Sequence, residues 1–211
     1  LAKAMENNDL VSIRKLLHQL GLTPFFQSEP PSPYDEAVRQ SWYLENVFYH
    51  AAPELYGRVA QTLDDASAEA LSEQLISIGF WPGGDRDGNP FVDAKTTWHV
   101  AERLRMTLLR CYRREIRDLR RRITFKHVSS QLDLLQDQIE FAMLHPDDQR
   151  LSVVSLSEKL EEVAVWVEEH SNGLYLSKIR GFQFKLRLFG LHFASLDIRQ
   201  DSRVIQSALR S

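Results

Sequence analysis

Apolar residues recur at steps of three and four over most of this chain, and alternation is confined to two short stretches. The pattern predicts a mainly α-helical protein of long helices with two or so short strands. Leu10, Ile13, Leu16 and Leu17 mark a first amphipathic helix ending at Gly21, and Gln27-Ser28-Glu29-Pro30-Pro31 reads as a polar connector. Ser32-Pro33-Tyr34-Asp35 supplies an N-cap, a proline at the first helical position and an acid at the third, so a helix should begin there. It would run through Val38, Trp42, Leu44, Val47 and Phe48 toward Pro53, with another short helix over 55–63.

Leu75 to Trp81 is apolar, short and bounded by glycines, and reads as a strand or extended segment entering the loop at Gly83. From Asp93 to Lys126 the helical period returns, with Leu104, Leu108, Tyr112, Ile116, Leu119 and Ile123 on one face. Ser130-Gln131-Leu132-Asp133 and Ser155-Leu156-Ser157-Glu158 match the capping-box pattern, predicting helices with Leu132, Leu135, Ile139 and Leu156, Leu160, Val163, Val167 inside. Asn172-Gly173 should end the second, and Gly190 a further helix with Leu176, Ile179, Phe182, Leu186 and Phe189 inside. His192 to Arg199 alternates as a second strand, with Asp197 and Arg199 on the face opposite Ala194, Leu196 and Ile198, and His192 reads as a core histidine beside it. The chain thus divides into 1–92 (helices plus a glycine-rich loop), 93–190 (a helical bundle) and 191–211 (a strand and the start of a helix). Two short strands so far apart need partners, and the helical tail stops without a cap, so the sequence reads as a piece of a longer protein.

Composition narrows the chemistry. The 211 residues are 43% hydrophobic and 26% charged with a net charge of -3, as expected for a soluble globular protein with no global attraction to nucleic acid or anionic membrane. A single cysteine, Cys111, permits no internal disulfide and suits a reducing compartment, with cytoplasm as the default. No apolar run approaches the roughly 20 residues that span a bilayer.

Two stretches carry arginines in backbone frames that packing alone has little reason to build: Gly83-Gly84-Asp85-Arg86-Asp87-Gly88-Asn89-Pro90 and Leu196-Asp197-Ile198-Arg199-Gln200. Arginine suits bidentate binding of phosphate and carboxylate, so the pair predicts two walls of one anion site. The glycines permit close backbone approach, and Asp85, Asp87 and Asn89 can take turn amides while fixing Arg86 as a second ligand or an interior strut. Spacing of the same acids hints at a calcium loop, but Pro90 stands at the required glycine and Thr96 at the bidentate glutamate. A rival reading comes from Arg110, Arg113, Arg114, Arg117, Arg120, Arg121, Arg122 and Lys126, which could form a phosphate-backbone stripe or a solvated face paired with acids such as Asp118 and Glu115.

The octapeptide preceded by Trp81, and Phe189-Gly190-Leu191 followed by Leu196-Asp197-Ile198-Arg199-Gln200-Asp201-Ser202, resemble signature segments of the phosphoenolpyruvate carboxylases. Pro31-Ser32-Pro33-Tyr34-Asp35-Glu36-Ala37 with Glu45-Asn46 resembles a third, in the same order. Pro82 replaces a methionine and Asp201 a glutamate usual in that family. The family's Thr-x-His-Pro-Thr and His-Gly-Arg-Gly-Gly segments, its metal-binding acids and its active-site lysine are absent, so none of the primary acid/base groups is present and the 211 residues should be inactive alone.

The resemblance implies a fragment of an α/β barrel that converts phosphoenolpyruvate and bicarbonate to oxaloacetate and phosphate. It implies magnesium or manganese in the complete enzyme, with none expected on this part, and a cytoplasmic homotetramer. Arg199 would bind phosphate, oriented by Asp197, with Gln200 in support. Arg86 would be a second substrate ligand or a strut, and Trp81 would line the bicarbonate side. The alternatives are a nucleic-acid module built on the basic helix and a non-catalytic helical scaffold.

Overall fold

The computed structural model describes residues 1–23, 30–63 and 76–210, and it is mainly α-helical. The chain forms two units, Leu1–Pro31 and Ser32–Ser211. In the first, α1 (Ala2–Glu6) leads to α2 (Leu10–Leu22), which Asp9 caps by accepting from the Ser12 amide at 3.0 Å. The predicted helix is there, but runs one residue past Gly21. Residues 24–29 of the connector lie outside the described residues.

The second unit opens with α3 (Pro33–Tyr43). Ser32 and Asp35 make the predicted reciprocal capping box. Beyond it the chain departs from expectation. A π turn over Leu44–Phe48 leads without a break into α4 (Tyr49–Ala60), and Pro53 sits inside that helix instead of ending it. The buried positions are Pro33, Ala37, Ser41 and Leu44, then Tyr49, Ala52 and Tyr56. Leu44 to Tyr49 is a step of five, which an α-helix would turn away from the core. The wider π turn takes up the extra residue, and the Tyr49 amide donates to the Leu44 carbonyl. Trp42, Val47 and Phe48, through which the helix was expected to run, are exposed.

After α4, β1 is only Gly79–Phe80; Leu75 lies outside the described residues, and 76–78 and Trp81 are not strand. Then α5 (Ala94–Arg122) runs 29 residues, about 44 Å, from Asp93, whose carboxylate accepts from the Thr96 amide at 2.7 Å. Leu104, Leu108, Tyr112, Ile116, Leu119 and the following Ile123 are all at most 2% exposed. The helix stops at Ile123 in extended backbone, and Lys126 opens α6 (Lys126–Leu144) instead of closing α5.

Two predicted caps move although the cores behind them hold. Ser130 lies inside α6, its hydroxyl donating to the Lys126 carbonyl at 3.0 Å. For α7 (Val153–Ser171) the cap is Ser152, which accepts from the amide of Ser155 at 3.1 Å. Ser152 caps without the acid three positions on that Ser155 has in Glu158, and Val153 gains cover by starting the helix earlier. Leu132, Leu135, Ile139, Leu156, Leu160, Val163 and Val167 are buried as the period requires. Asn172 ends α7 in the left-handed region at φ 51°, and Gly190 ends α8 (Leu176–Phe189).

β2 is Ser195–Leu196, far shorter than the predicted His192–Arg199. His192 lies in the preceding turn with an exposed side chain, and Phe193 is the buried residue there. The strands pair in parallel, Gly79 with Ser195 and Phe80 with Leu196, and the crossover between them is the bundle α5–α8. The last helix, α9 (Ser202–Arg210), starts at Asp201, whose carboxylate accepts from the Arg203 amide at 2.8 Å. Tyr49 stacks on Phe189 with ring centroids 5.5 Å apart, and Phe193 meets both edge-on, its centroid 5.1 Å from that of Phe189.

Urea denaturation checks this arrangement. Ser152→Ala should cost about 1 kcal/mol and Ser155→Ala under about 0.5 kcal/mol, the reverse of what the sequence pattern implies. Leu160→Ala, at a fully buried position, should cost about 2–5 kcal/mol.

Candidate functional site

The two arginine motifs meet where the strand pair ends. Ser195 N donates to the Ile78 carbonyl at 2.9 Å and Asp197 N to that of Phe80 at 2.8 Å. The first strand then folds into a turn closed by Gly84 N donating to the Trp81 carbonyl at 2.9 Å. Pairing resumes beyond it: Arg199 N donates to the Gly84 carbonyl at 2.9 Å, and Arg86 N to the Arg199 carbonyl at 3.0 Å, with Asp85 opposite Arg199.

That crossing requires glycine. A Cβ on Gly84 would overlap the Asp197 carbonyl oxygen, and Gly83, at φ 80°, would place one 2.5 Å from Val100 Cγ2 on α5. The loop is pressed between the second motif and the first turns of α5.

The side chains divide the roles. Arg86 turns toward α5, where its Nη2 donates to Thr97 Oγ1 at 2.9 Å; the Thr97 hydroxyl lies 2.7 Å from the Gly83 carbonyl. Thr97 is buried and holds the loop and Arg86 together on the helix. Sequence reasoning missed it: a threonine one turn into a helix reads as filler, and only its hydroxyl partners mark it out. Arg86 Nε is buried with no partner among the described residues. Of the loop's polar residues, Asn89 accepts from the Phe91 amide at 3.0 Å and Asp85 bonds the Gly88 amide, as expected. Asp87 instead faces Asp85, and the hydrogen bond between the two carboxyls, with partial burial, holds Asp85 above the usual carboxylate range. None of the three bonds the Arg86 guanidinium among the described residues; Thr97 does.

Arg199 has an exposed side chain whose charge opposes the upward shift of Asp85. Asp197 is exposed, and among the described residues no ion pair joins it to Arg199. Gln200 keeps its Oε1 buried with no partner among the described residues, and Trp81, at the end of β1, is 50% exposed. The backbones of both motifs are therefore brought together, with one guanidinium tied down and the other facing outward.

Among the described residues no group of three or more His, Cys, Asp or Glu side chains comes together to hold a metal ion. The adjacent Asp85 and Asp87 supply two carboxyls that bond each other, and these residues do not fit a divalent-cation centre.

The basic run on α5 is largely paired. Arg114 contacts Glu45 at 2.6 Å, Arg117 contacts Glu140 at 2.9 Å, Arg122 contacts Asp118 at 2.9 Å, and Arg120 pairs with Asp133. Glu115, expected to neutralise this face, pairs with Lys185. No helix among the described residues is long and apolar enough to cross a membrane.

These features define a helical body that presents two hydrogen-bonded arginine loops at the end of a parallel strand pair. The chain belongs to the phosphoenolpyruvate carboxylase family, whose model matches residues 2–162, including the glycine-rich loop. Among curated relatives, the phosphoenolpyruvate carboxylase of Shewanella loihica is 27% identical over 240 aligned residues, covering 96% of this chain and 27% of that protein. That of Aeromonas hydrophila is 27% identical, covering 90% of the chain and 25% of that protein. That of Xanthomonas oryzae is also 27% identical, covering 88% and 25%. The chain spans about a quarter of the length of these relatives.

Two substitutions probe the crossing. Gly84→Ala should lower the unfolding free energy by about 3 kcal/mol. Thr97→Val, which leaves the Arg86 guanidinium without its acceptor, should cost about 1–3 kcal/mol, both read by chemical denaturation.

Proposed function

We propose that this chain is part of an enzyme that carboxylates phosphoenolpyruvate with bicarbonate to give oxaloacetate and phosphate. One observation carries the reading beyond family membership: the octapeptide and the Arg199 segment, remote in sequence, are joined by reciprocal backbone hydrogen bonds. Bicarbonate attacks the phosphoryl group, giving carboxyphosphate and the enolate of pyruvate. Carbon dioxide released from carboxyphosphate is captured by that enolate. Apart from carbon dioxide every species is anionic, so fixed guanidinium groups are the natural stabilisers.

Arg199, exposed beyond the end of a parallel strand, is the residue assigned to the phosphate. Arg86 serves as the strut that holds its loop, through Thr97, while its unpartnered Nε remains available to a substrate oxygen. Trp81 borders the same turn and is assigned to the bicarbonate side. Asp85, Asp87, Asn89, Asp197 and Gln200 shape the two loops. The divalent cation, magnesium or manganese, belongs to the complete enzyme and would be held by groups other than these. A homotetramer in the cytoplasm, with the two strands part of a larger α/β barrel, completes the proposal.

Oxaloacetate formation coupled to malate dehydrogenase is the test. The 211-residue polypeptide should give no signal above background. In the complete reading frame, Arg199→Gln should lower kcat/KM by about 100-fold or more, and Arg199→Lys should fail to restore it, because a point charge does not replace the bidentate fork. Full activity of Arg199→Gln would remove the residue from the site.

A further inference from the structure

Tyr112 enters the core stripe of α5 as an apolar ring, and the helical period asks nothing more of it. A phenylalanine would fill the same space beside Phe182, whose ring centroid is 5.5 Å away. The hydroxyl has a partner far along the chain. Tyr112 Oη donates to the Gly190 carbonyl at 2.7 Å and lies 3.3 Å from the carbonyl of Lys185. Burial pushes this hydroxyl well above the ordinary tyrosine range, so it stays protonated and keeps donating.

The carbonyl it holds opens the turn between α8 and β2. Two residues of that turn have positive φ, Gly190 at 59° and Phe193 at 70°. A bulky side chain in the left-handed region is strained, and such strain persists where the surroundings over-determine it. Here they do. The Phe193 ring is 3% exposed and meets Tyr49 and Phe189 edge-on, while Gly190 is fixed from α5 by Tyr112. Lys185 adds a second tie between α8 and α5, pairing with Glu115 while its Nζ sits 4.6 Å from the Tyr49 ring centroid.

The turn leads straight into the candidate site. The amides of Ser195 and Asp197 donate to the Ile78 and Phe80 carbonyls, and that of Arg199 to Gly84. A two-residue strand has little stiffness of its own, so the course of the chain at Arg199 is set from both sides, by the glycine crossing and by the turn that launches β2.

We propose that Tyr112 is a positioning residue for Arg199, acting through the Gly190 carbonyl and the turn into β2; its consequence for catalysis rests on the assignment of Arg199 to the phosphate. α5 then holds both loops, the glycine-rich one through Thr97 and the other through Tyr112.

Amide hydrogen exchange, followed by NMR on the 211-residue chain, tests the geometry without reference to activity. Tyr112→Phe keeps the ring and removes the donor, and the Asp197 and Arg199 amides should exchange about tenfold faster or more. Gly190→Ala, whose Cβ would meet nothing within 4 Å, strains the turn through its backbone alone and should act in the same way. Leu160→Ala, which loosens the bundle away from the turn, should leave those two amides at their parent rates. In the complete reading frame, a double-mutant cycle tests the link to Arg199. Tyr112→Phe should lower kcat/KM about tenfold in the parent and less than about twofold in the Arg199→Gln background, whereas a general loss of folded enzyme would lower both by the same factor. The proposal is overturned if Asp197 and Arg199 exchange at parent rates in both turn variants, if Leu160→Ala speeds them equally, or if the factors in the two backgrounds match. Faster exchange in the turn variants together with full activity of Arg199→Gln would sink the phosphate assignment and leave the positioning of Arg199 standing, so the two failures are told apart.

Discussion

The close approach of two backbones at Gly84 and Asp197 is the constraint on which the candidate site depends. A side chain at residue 84 would occupy the space of the Asp197 carbonyl, so the ladder from Asp85 to Arg199 forms only because that space is empty. Two short strands of two residues each would be marginal alone. Here they are supported by the aromatic group of Tyr49, Phe189 and Phe193, and from the side by α5, on which Thr97 gathers the Gly83 carbonyl and the Arg86 guanidinium.

α5 is the common support. One face supplies the fully buried stripe from Val100 to Ile116 that organises the bundle, and its first turns fix the glycine-rich loop. Its charged residues fall into two groups distinguished by their partners. From Arg114 onward, pairing with Glu45, Glu140, Asp133 and Asp118 makes the helix surface a set of largely neutral pairs. Such pairs contribute little stability singly, but they remove the free positive charge that a phosphate-backbone stripe requires. Nearer the N-terminus, Arg103, Arg105 and Arg110 lack such close partners among the described residues and surround a cavity instead. The pairing of each arginine on this one helix is set by which acids other elements bring alongside.

Much of the fold was legible because burial follows period. Leu104 to Ile123, Leu132 to Ile139 and Leu156 to Val167 lie inside as their spacing requires, and the capping box at Ser32, the left-handed Asn172 and the stop at Gly190 follow from local backbone chemistry. What failed were features decided by competition. Ser155 has an acid three residues on and Ser152 does not, yet the helix starts after Ser152, where Val153 packs against the core. Pro53 is a helix breaker in isolation, yet α4 passes through it because Ala52 and Tyr56 on either side are buried. The step of five between Leu44 and Tyr49 has no reading in an α-helical period and becomes intelligible only as a π turn.

The amino-acid order by itself determined the helical class, the residues of the core stripes and the kinship carried by the two arginine motifs, because each depends on neighbours within a few positions along the chain. Tertiary structure alone decided that those motifs share a backbone ladder, that Thr97 holds Arg86, and which acids are brought beside the arginines of α5. These outcomes depend on contacts between groups far apart in sequence, where the energy of a side chain is fixed by the partner that folding delivers.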